Sequence, residues 1–334
     1  MKTRLALMLL AGSLASARAD LGAAASYSAA HGERALLVCH RGKIVFERGP
    51  ALVQTPRIYS ITKSLFSIGA FRDARKGGIS LERPVSRGPA RGVKLAELMN
   101  QTSGLDPMSG EFYSTGLEDK DRVFADMKPP RRSRGFVYGA AHWEVLGEEI
   151  SLASGTTLES WIMKHVPGAH AGILARWRRD GKGRMFLSTG ARMSARELLP
   201  AGREVLAGLG RGFGRWPAAV RGLLSTGTPQ NGMYALGFWL NRSAGAAKAR
   251  EIDVEDSLDP PPNAGFWRDG CLSRHAPADL LAMIGSGGQR VYVVPSRQLV
   301  VIRLASGGSF SDAEFLGRYF APAHTAQAGR TPRG

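Results

Sequence analysis

Strand-forming segments lie near both ends of this chain, and a mostly helical stretch separates them. Ala35 to Cys39 and Lys43 to Glu47 are apolar runs joined by His40-Arg41-Gly42, which is typical of a β-hairpin. Three later runs are rich in β-branched or aromatic residues: Met233 to Asn241, Arg290 to Val294 and Gln298 to Leu304. We therefore predict an α+β fold, with one antiparallel sheet built from both termini and flanked by helices.

The stretch between these strands carries helical patterns. Apolar residues spaced three or four positions apart predict a helix from Ser60 to about Lys76, which Gly77-Gly78 would end. In the helix predicted for Ala195 to Leu209, Pro200 should cause a kink or a split. The other predicted helices are 20–31, 95–99, 142–153, 157–164 and 312–320. The expected subdomains are a sheet unit, residues 20–90 with 230–322, and a helical unit, residues 91–229.

Residues 1–19 have the pattern of a signal peptide. A basic start, Met1 to Arg4, precedes an apolar stretch, Leu5 to Ser16, that is too short to span a bilayer, and Ala17-Arg18-Ala19 resembles a cleavage signal. We expect cleavage before Asp20 and a periplasmic or secreted protein without stable membrane insertion; an uncleaved membrane anchor is the alternative. Residues 323–334 are expected to form a disordered tail.

The formal net charge is +17, but the basic residues are scattered along the chain. Export would separate the protein from DNA, so we expect no nucleic-acid partner. We attribute the charge to solubility and to attraction toward anionic envelope surfaces. The two cysteines, Cys39 and Cys271, form no C-x-x-C pair, which argues against zinc or thioredoxin chemistry. Export would permit a disulfide between them, but the sequence does not establish whether they meet. No histidines have metal-ligand spacing, and we expect no metal or organic cofactor.

Ser60 and Lys63 stand three residues apart at the start of a predicted helix. Three positions are nearly one helical turn, so the two side chains would share a face and come within hydrogen-bond reach. A serine hydroxyl becomes a nucleophile when a neighbouring base takes its proton, and a lysine serves as that base when burial or a nearby cation lowers its pKa. The Ser60 N–H would also be available to an oxyanion at the helix start. The pair predicts covalent hydrolysis, although a Ser-x-x-Lys pattern by itself also occurs by chance.

Several segments follow this pair in a recognisable order. Ser60 to Lys63 matches a nucleophile motif, Leu98 to Leu105 is similar to an LLxxTSGL segment, and Phe136 to Ala140, with Val145 to Gly147 and Ala153 to Gly155, is similar to an FxYxN…LLG…SG segment. In order and spacing they resemble the serine β-lactamase and penicillin-binding-protein superfamily. The closest resemblance is to its class C-like branch, which contains D-alanyl-D-alanine carboxypeptidases, family VIII esterases and aminohexanoate-oligomer hydrolases. This resemblance spans nearly the whole chain after residue 19 and implies a β-lactamase-like α+β fold.

Met283 to Gln289 stands where that superfamily has its third motif, a strand carrying Lys-Thr-Gly or a relaxed version of it. With Tyr292 to Ser296, it resembles the GxGGQ…yvvP strand of the oligomer hydrolases. The resemblance implies that the Ser286 N–H is the second oxyanion donor. Glycine at 285 and 287 suits a strand edge that a substrate approaches closely, so Gly285 and Gly287 are candidate substrate-strand residues.

The resemblance also implies the catalytic roles. Ser60 would be the nucleophile, and Lys63 and Tyr138 would manage its proton. Tyr138 is then the shared catalytic tyrosine, a phenol of lowered pKa that carries the proton to the leaving group. Without the matching flanks, Tyr138 would be interpreted as a core tyrosine between helices.

Two positions depart from the pattern of the superfamily. The asparagine two places after the tyrosine is Ala140, and the lysine of the strand motif is Met283. The resemblance implies that the asparagine helps to orient the lysine base and that the strand lysine grips a carboxylate. Both losses argue against efficient β-lactamase or carboxypeptidase activity and leave an ester or a neutral amide as a feasible substrate.

Two further groups of residues have alternative interpretations. Asp253, Glu255 and Asp256 form an acidic cluster that is expected in a solvated loop, with a role at the substrate rim as the alternative. Four tryptophans are expected to pack in the core, with a pocket lining as the alternative: Trp143, Trp216, Trp239 and Trp267.

The sequence therefore predicts a secreted serine hydrolase that forms an acyl-enzyme with an ester or amide, either a small molecule or a cell-wall-derived compound. One alternative is a D-Ala-D-Ala carboxypeptidase or β-lactamase-type activity. The other is a catalytically silent protein that binds peptidoglycan fragments on the same scaffold. The sequence predicts neither the individual substrate nor the oligomeric state.

Overall fold

The computed structural model describes residues 21–132, 134–210, 215–258 and 263–321. The predicted signal peptide and the predicted tail lie outside these residues. Within them, none of the helices combines the length and the apolar character needed to cross a membrane.

A seven-stranded antiparallel sheet forms the centre of the fold. The strands of the chain are β1 (Glu33–His40), β2 (Lys43–Arg48), β3 (Tyr234–Ala235), β4 (Phe238–Leu240), β5 (Arg250–Glu251), β6 (Gly270–Cys271), β7 (Leu281–Gly285), β8 (Gln289–Val294) and β9 (Leu299–Ala305). The sheet has the order β2-β1-β9-β8-β7-β4-β3, while β5 and β6 form a separate parallel pair. Because β1 pairs with β9, with Leu37 opposite Ile302, both ends of the chain share one sheet. The predicted α+β fold is confirmed.

Seven helices lie where the sequence predicts them, with small shifts at their ends, whereas the sequence did not predict the helices at 109–113, 120–126, 171–175, 218–226 and 264–268. The helices are α1 (21–30), α2 (Ile61–Arg75), α3 (Leu95–Met99), α4 (Ser109–Tyr113), α5 (Lys120–Asp126), α6 (Ala141–Ser154), α7 (Leu158–His165), α8 (Ala171–Ala175), α9 (Ala195–Leu209), α10 (Ala218–Thr226), α11 (Ala264–Arg268) and α12 (Asp312–Phe320). Short 3₁₀ turns occupy Pro50–Leu52, Glu255–Ser257 and Pro295–Arg297. The subdomain boundaries at residues 91 and 229 stay a prediction.

Both faces of the sheet are covered, so its central strands are buried throughout. Alternate residues of a strand point to opposite faces. On β8, Val291 and Val293 belong to the core shared with α2 and α9, whereas Tyr292 belongs to a second core that contains Phe315 of α12. Helix α2 also packs against β7, and this contact brings the start of α2 close to the end of that strand.

Helix α9 continues through Pro200, so of the predicted kink or split the split does not occur. The Ser194 hydroxyl accepts from the Glu197 N–H at 3.2 Å, and the Glu197 carboxylate accepts from the Ser194 N–H at 2.8 Å, which caps the helix at its start. Proline removes one backbone hydrogen bond. Burial of the apolar face of α9, which includes Leu198 and Val205, outweighs that loss, at about 1.5–3 kcal/mol for each large side chain.

The predicted strand from Met233 to Asn241 is two short strands joined by a tight turn. Leu236 and Gly237 have φ angles of 49° and 86°, in the left-handed region, and reverse the chain between β3 and β4. A Cβ on Gly237 would lie 2.5 Å from the Ser67 hydroxyl of α2, so only glycine permits this approach. Alternation alone cannot reveal such a turn, because the residues on either side are all apolar.

The two cysteines are free thiols, and both are buried. Cys39 lies in β1 and Cys271 lies in β6. The disulfide that the sequence left open is therefore not formed.

Candidate active site

Ser60 stands at the N-terminus of α2 after a strained turn. Tyr59 has a φ angle of 47°, which is uncommon for a residue with a side chain. The Tyr59 carbonyl accepts from the Thr62 N–H at 3.0 Å and from the Thr62 hydroxyl at 2.6 Å. These bonds hold the turn closed and present Ser60, which keeps 8% of its surface exposed, at the helix start. Strain of this kind is frequent at functional sites.

Lys63 contacts Ser60 directly, as the helical spacing predicts. Its Nζ lies 2.8 Å from the Ser60 Oγ, 2.9 Å from the Ser188 carbonyl oxygen and 3.3 Å from the Tyr113 Oη. Burial lowers the pKa of Lys63 to about 7, and the negative charge of Glu144 opposes this shift. A substantial fraction of Lys63 is then uncharged near neutral pH and able to accept a proton from Ser60.

Tyr138 completes the group around Ser60. Its hydroxyl interacts with Ser60, and the Lys63 Nζ lies 5.0 Å from the centre of its ring. Burial of the hydroxyl raises the pKa of Tyr138 to about 12, although the interaction with Ser60 opposes the shift. The expected lowering of this pKa is therefore wrong, because desolvation of the phenolate exceeds the stabilisation that its neighbours provide. In this state Tyr138 is a neutral hydrogen-bonding group, and Lys63 is the candidate base.

Gln101 positions Tyr138, a role that the sequence did not reveal. The Val137 N–H donates to the Gln101 carbonyl at 3.0 Å, and the Gly139 N–H donates to the Gln101 Oε1 at 2.6 Å. The Gln101 amide donates in turn to the Tyr234 hydroxyl at 2.8 Å. Both peptide neighbours of Tyr138 are thus held by one residue of the Leu98 to Leu105 segment, Val137 by the Gln101 backbone and Gly139 by its side chain.

His142 holds the same segment from α6. Its Nε2 lies 2.9 Å from the Val137 carbonyl oxygen and its Nδ1 lies 2.9 Å from the Ser103 Oγ, so Nε2 is the donor and Nδ1 accepts. Burial lowers the pKa of His142 to about 4. The imidazole is therefore neutral near pH 7 and acts as a structural link.

The end of β7 lies against the turn that precedes Ser60. A Cβ on Gly285 would stand 2.2 Å from the Ile58 carbonyl oxygen, which explains why this position is glycine. Ser286 follows Gly285 immediately. In the described part of the chain, no acceptor takes a hydrogen bond from the N–H of Ser60 or of Ser286. Both groups are consequently available to a developing oxyanion.

Glu255 anchors the turn that contains Ser286, so the solvated-loop interpretation does not hold for this residue. The Gly287 and Gly288 N–H groups donate to its carboxylate at 3.0 and 3.2 Å. Arg290 donates to the same carboxylate at 2.6 Å. One residue of the acidic cluster, Glu255, thus fixes the turn beside the candidate oxyanion site.

The two departures from the motifs are buried positions without polar side chains. Ala140 stands at the N-terminus of α6, and Met283 of β7 lies in the main core. Neither supplies an amide or a cation. Tyr113, which no motif identified, contacts Lys63 instead; the residue is 38% exposed, but burial of its hydroxyl end raises its pKa above the ordinary value.

The four tryptophans are core residues, as expected, with at most 2% of each exposed. The centre of the Trp239 ring lies 5.9 Å from that of Tyr138 and 5.6 Å from that of Trp267. Trp239 therefore packs against the Tyr138 ring. Among the described residues, no group of three or more histidine, cysteine, aspartate or glutamate side chains is arranged to hold a metal ion.

Comparison with known proteins gives a family and a fold. The family model described as Beta-lactamase matches residues 28–323. Among curated proteins, none matches this chain. Three solved structures illustrate the similarity of fold.

An assigned 6-aminohexanoate-dimer hydrolase from Bacillus anthracis has a TM-score of 0.61 and 17% identity, over 87% of this chain and 78% of its own. The hydrolase EstCE1, described as having promiscuous acyltransferase activity, has a TM-score of 0.63 and 14% identity. The match covers 91% of this chain and 98% of EstCE1. A class C beta-lactamase from Rhodobacter sphaeroides has a TM-score of 0.56 and 18% identity. The match covers 90% of this chain and 97% of the beta-lactamase. Identities this low establish the shared fold alone.

Proposed function

Because the chain belongs to the beta-lactamase family, we propose that it is a serine hydrolase that forms an acyl-enzyme on an ester or amide bond. The observation that carries this proposal is the 2.8 Å contact between the Ser60 Oγ and the Nζ of a buried Lys63. Burial lowers the pKa of that lysine to about 7, which gives Ser60 a base at neutral pH.

In the proposed reaction, the Ser60 Oγ attacks the substrate carbonyl carbon while its proton passes to the Lys63 Nζ. The N–H groups of Ser60 and Ser286 hold the negative charge of the tetrahedral intermediate. The bond to the leaving group then breaks, and the leaving group takes a proton that Lys63 releases through the Tyr138 hydroxyl. Water attacks the acyl-enzyme by the same route in reverse, which releases the acid and restores the Ser60 hydroxyl.

The substrate is proposed to be an ester, with a linear neutral amide as the second choice. Ala140 and Met283 supply neither an amide nor a cation at the positions where carboxylate-binding relatives have them. An acyl group without a carboxylate leaves no unpaired charge in such a site. EstCE1 is described as a hydrolase with acyltransferase activity and the Bacillus anthracis protein as a hydrolase of an aminohexanoate dimer, and both descriptions are consistent with acyl-transfer chemistry.

The first test is intact-mass analysis after incubation with a fluorophosphonate, together with turnover of a p-nitrophenyl ester. We expect a single adduct and measurable turnover from the wild-type chain and neither from Ser60→Ala. Ser64→Ala is the matched control, because Ser64 is a buried serine of the same helix that donates to the Gly237 carbonyl at 2.6 Å. Absence of any Ser60-dependent adduct or turnover would refute the enzyme proposal.

A substrate panel then distinguishes the classes of activity. It contains short-chain esters, cephalosporins, D-Ala-D-Ala peptides and linear amides. We expect the esters to give the highest kcat/KM. A cephalosporin hydrolysed faster than every ester would show that the argument from Met283 is wrong.

A second candidate function is binding of peptidoglycan fragments without catalysis. The observation that favours it is the apolar character of Ala140 and Met283, which removes two of the polar groups associated with turnover in the superfamily. Binding of a muropeptide by isothermal titration, combined with no Ser60-dependent adduct, is the result that would support it.

A further inference from the structure

A buried carboxylate lies directly behind the Ser60–Lys63 pair. Glu144, in the first turn of α6, is fully buried and has no role in the proposed reaction. Its Oε2 accepts from the Nζ of Lys120 at 2.7 Å, and Lys120 is itself buried. A carboxylate is placed in such surroundings at a large cost unless several donors satisfy it.

The other donors to Glu144 all come from one short segment of chain. The Leu187 N–H donates at 3.1 Å, the Ser188 N–H at 3.0 Å and the Ser188 hydroxyl at 2.6 Å. The carboxylate therefore fixes Ser188 through both its backbone and its side chain.

Ser188 in turn contacts Lys63, the candidate base. Its carbonyl oxygen accepts from the Lys63 Nζ at 2.9 Å. Since Ala140 offers no amide to Lys63, the Ser188 carbonyl and the Tyr113 hydroxyl are the groups that orient the amine toward Ser60.

We propose that Glu144 is a positioning residue for Lys63. Through Ser188 it fixes the carbonyl that orients the amine toward Ser60, and its negative charge attracts the positive charge of the protonated amine. This inference rests on the proposed hydrolase function. It concerns a carboxylate whose main partner, Lys120, belongs to another helix.

The charge of Glu144 should be visible in the pH dependence of the reaction. The titratable or charged groups that face Lys63 or Glu144 from the surrounding elements are Tyr113, Lys120, Tyr138, His142, Glu144 and Arg178. The tyrosines and His142 are neutral near pH 7, because burial raises the pKa of the former and lowers that of the latter. Glu144 is then the anion that raises the pKa of Lys63, in opposition to desolvation.

The experiment measures the rate of fluorophosphonate labelling against pH for the full chain and for Glu144→Gln. Lys63 must be uncharged to accept the Ser60 proton, so the rate falls on the acidic side of its pKa. Loss of the carboxylate charge lowers that pKa, and we expect the acidic midpoint to move down by about one pH unit. The plateau rate should also fall several-fold, because an amide satisfies the donors of Ser188 less well than a carboxylate.

Glu149→Gln is the matched control. Glu149 is a buried carboxylate of the same helix that accepts from the Ser86 N–H at 2.8 Å and from Arg83 at 2.9 Å, and Glu144, not Glu149, is the charge that shifts the pKa of Lys63. We expect this variant to lose stability without any movement of the acidic midpoint. An unmoved midpoint in Glu144→Gln, or an equal movement in Glu149→Gln, would overturn the proposal.

Lys120→Gln decides the question if Glu144→Gln does not fold. This variant retains an N–H donor for Glu144 and for the Met185 carbonyl but leaves the carboxylate charge uncompensated. The midpoint should then move upward, opposite to the first variant, and a downward or absent movement contradicts the proposal. Failure of the hydrolase function itself is distinguishable, since the wild-type chain would then give no Ser60-dependent adduct at any pH.

Discussion

Two buried ion-pair networks support the candidate active site, one near Lys63 and the other near the turn that contains Ser286. They contact different kinds of chemical group. Behind Lys63, Glu144 pairs with Lys120 and holds a loop whose carbonyl contacts the base. Behind the Ser286 turn, Arg290 donates to Asp312 at 2.7 and 3.0 Å, while Glu255 holds both Arg290 and the turn.

The two networks therefore differ in which properties of the candidate site their charges can affect. The first faces an amine that titrates near neutral pH, so its charge affects both orientation and protonation of the base. The second faces backbone N–H groups, which do not titrate, so it can affect only the geometry of the turn. Four variants test this contrast.

Arg290→Met should have the largest effect on stability. It leaves the buried carboxylate of Asp312 without its cation, which typically costs about 3–5 kcal/mol of unfolding free energy. Urea denaturation measures this loss. Arg318→Met removes an exposed pair with Glu314 and should change stability by less than about 0.5 kcal/mol; equal losses in both variants would contradict the buried role of Arg290.

Gly285→Ala should impair the reaction strongly. Its Cβ would meet the Ile58 carbonyl oxygen at 2.2 Å, and the resulting shift would separate the N–H groups of Ser286 and Ser60. We expect a fall in labelling rate of about 10²-fold, comparable with the loss of one oxyanion donor. Gly222→Ala is the control, because the space around Gly222 in α10 is open, and its rate should match the wild type. A normal rate in Gly285→Ala would mean that this edge of β7 is not part of the site.

Lys63→Met should remove activity and also a pH dependence of stability. The folded pKa of Lys63, about 7, lies below the ordinary lysine value of 10.5, so the unfolded chain binds more protons between these values. The wild type should consequently gain about 2 kcal/mol of unfolding free energy from about pH 7 to about pH 9 through this residue. Urea denaturation at both pH values should show a smaller gain in Lys63→Met. Lys94→Met, at an exposed ion pair with Glu82, should retain the wild-type slope.

Glu255→Gln should have the smallest effect, about a tenfold slower labelling rate, since the amide retains one acceptor for the turn. In contrast to Glu144→Gln, it should leave the acidic midpoint in place. Glu251→Gln serves as the control, because Glu251 also accepts a backbone N–H, that of Arg274 at 2.8 Å, at an exposed position. A movement of the acidic midpoint in Glu255→Gln would erase the proposed distinction between the two networks.

Local patterns predicted most of the fold correctly. The Ser60 helix, the hairpin of β1 and β2 and the closing helix α12 all follow from short-range periodicity and turn residues. The errors occur where packing overrides local preference. Pro200 stays inside a helix because the apolar face of that helix is buried, and a left-handed turn at Leu236 and Gly237, packed against α2, interrupts the predicted strand.

The sequence by itself determined the α+β class and the contact between Ser60 and Lys63, because residues three apart on a helix meet whatever surrounds them. It did not determine the direction of the Tyr138 pKa shift or the contacts of Lys63 with Tyr113 and Ser188, which are 50 and 125 positions away. Desolvation and long-range hydrogen bonds depend on which distant residues pack together, and only the tertiary structure decides that. The lysine became a candidate base, rather than a cation beside a serine, through its burial.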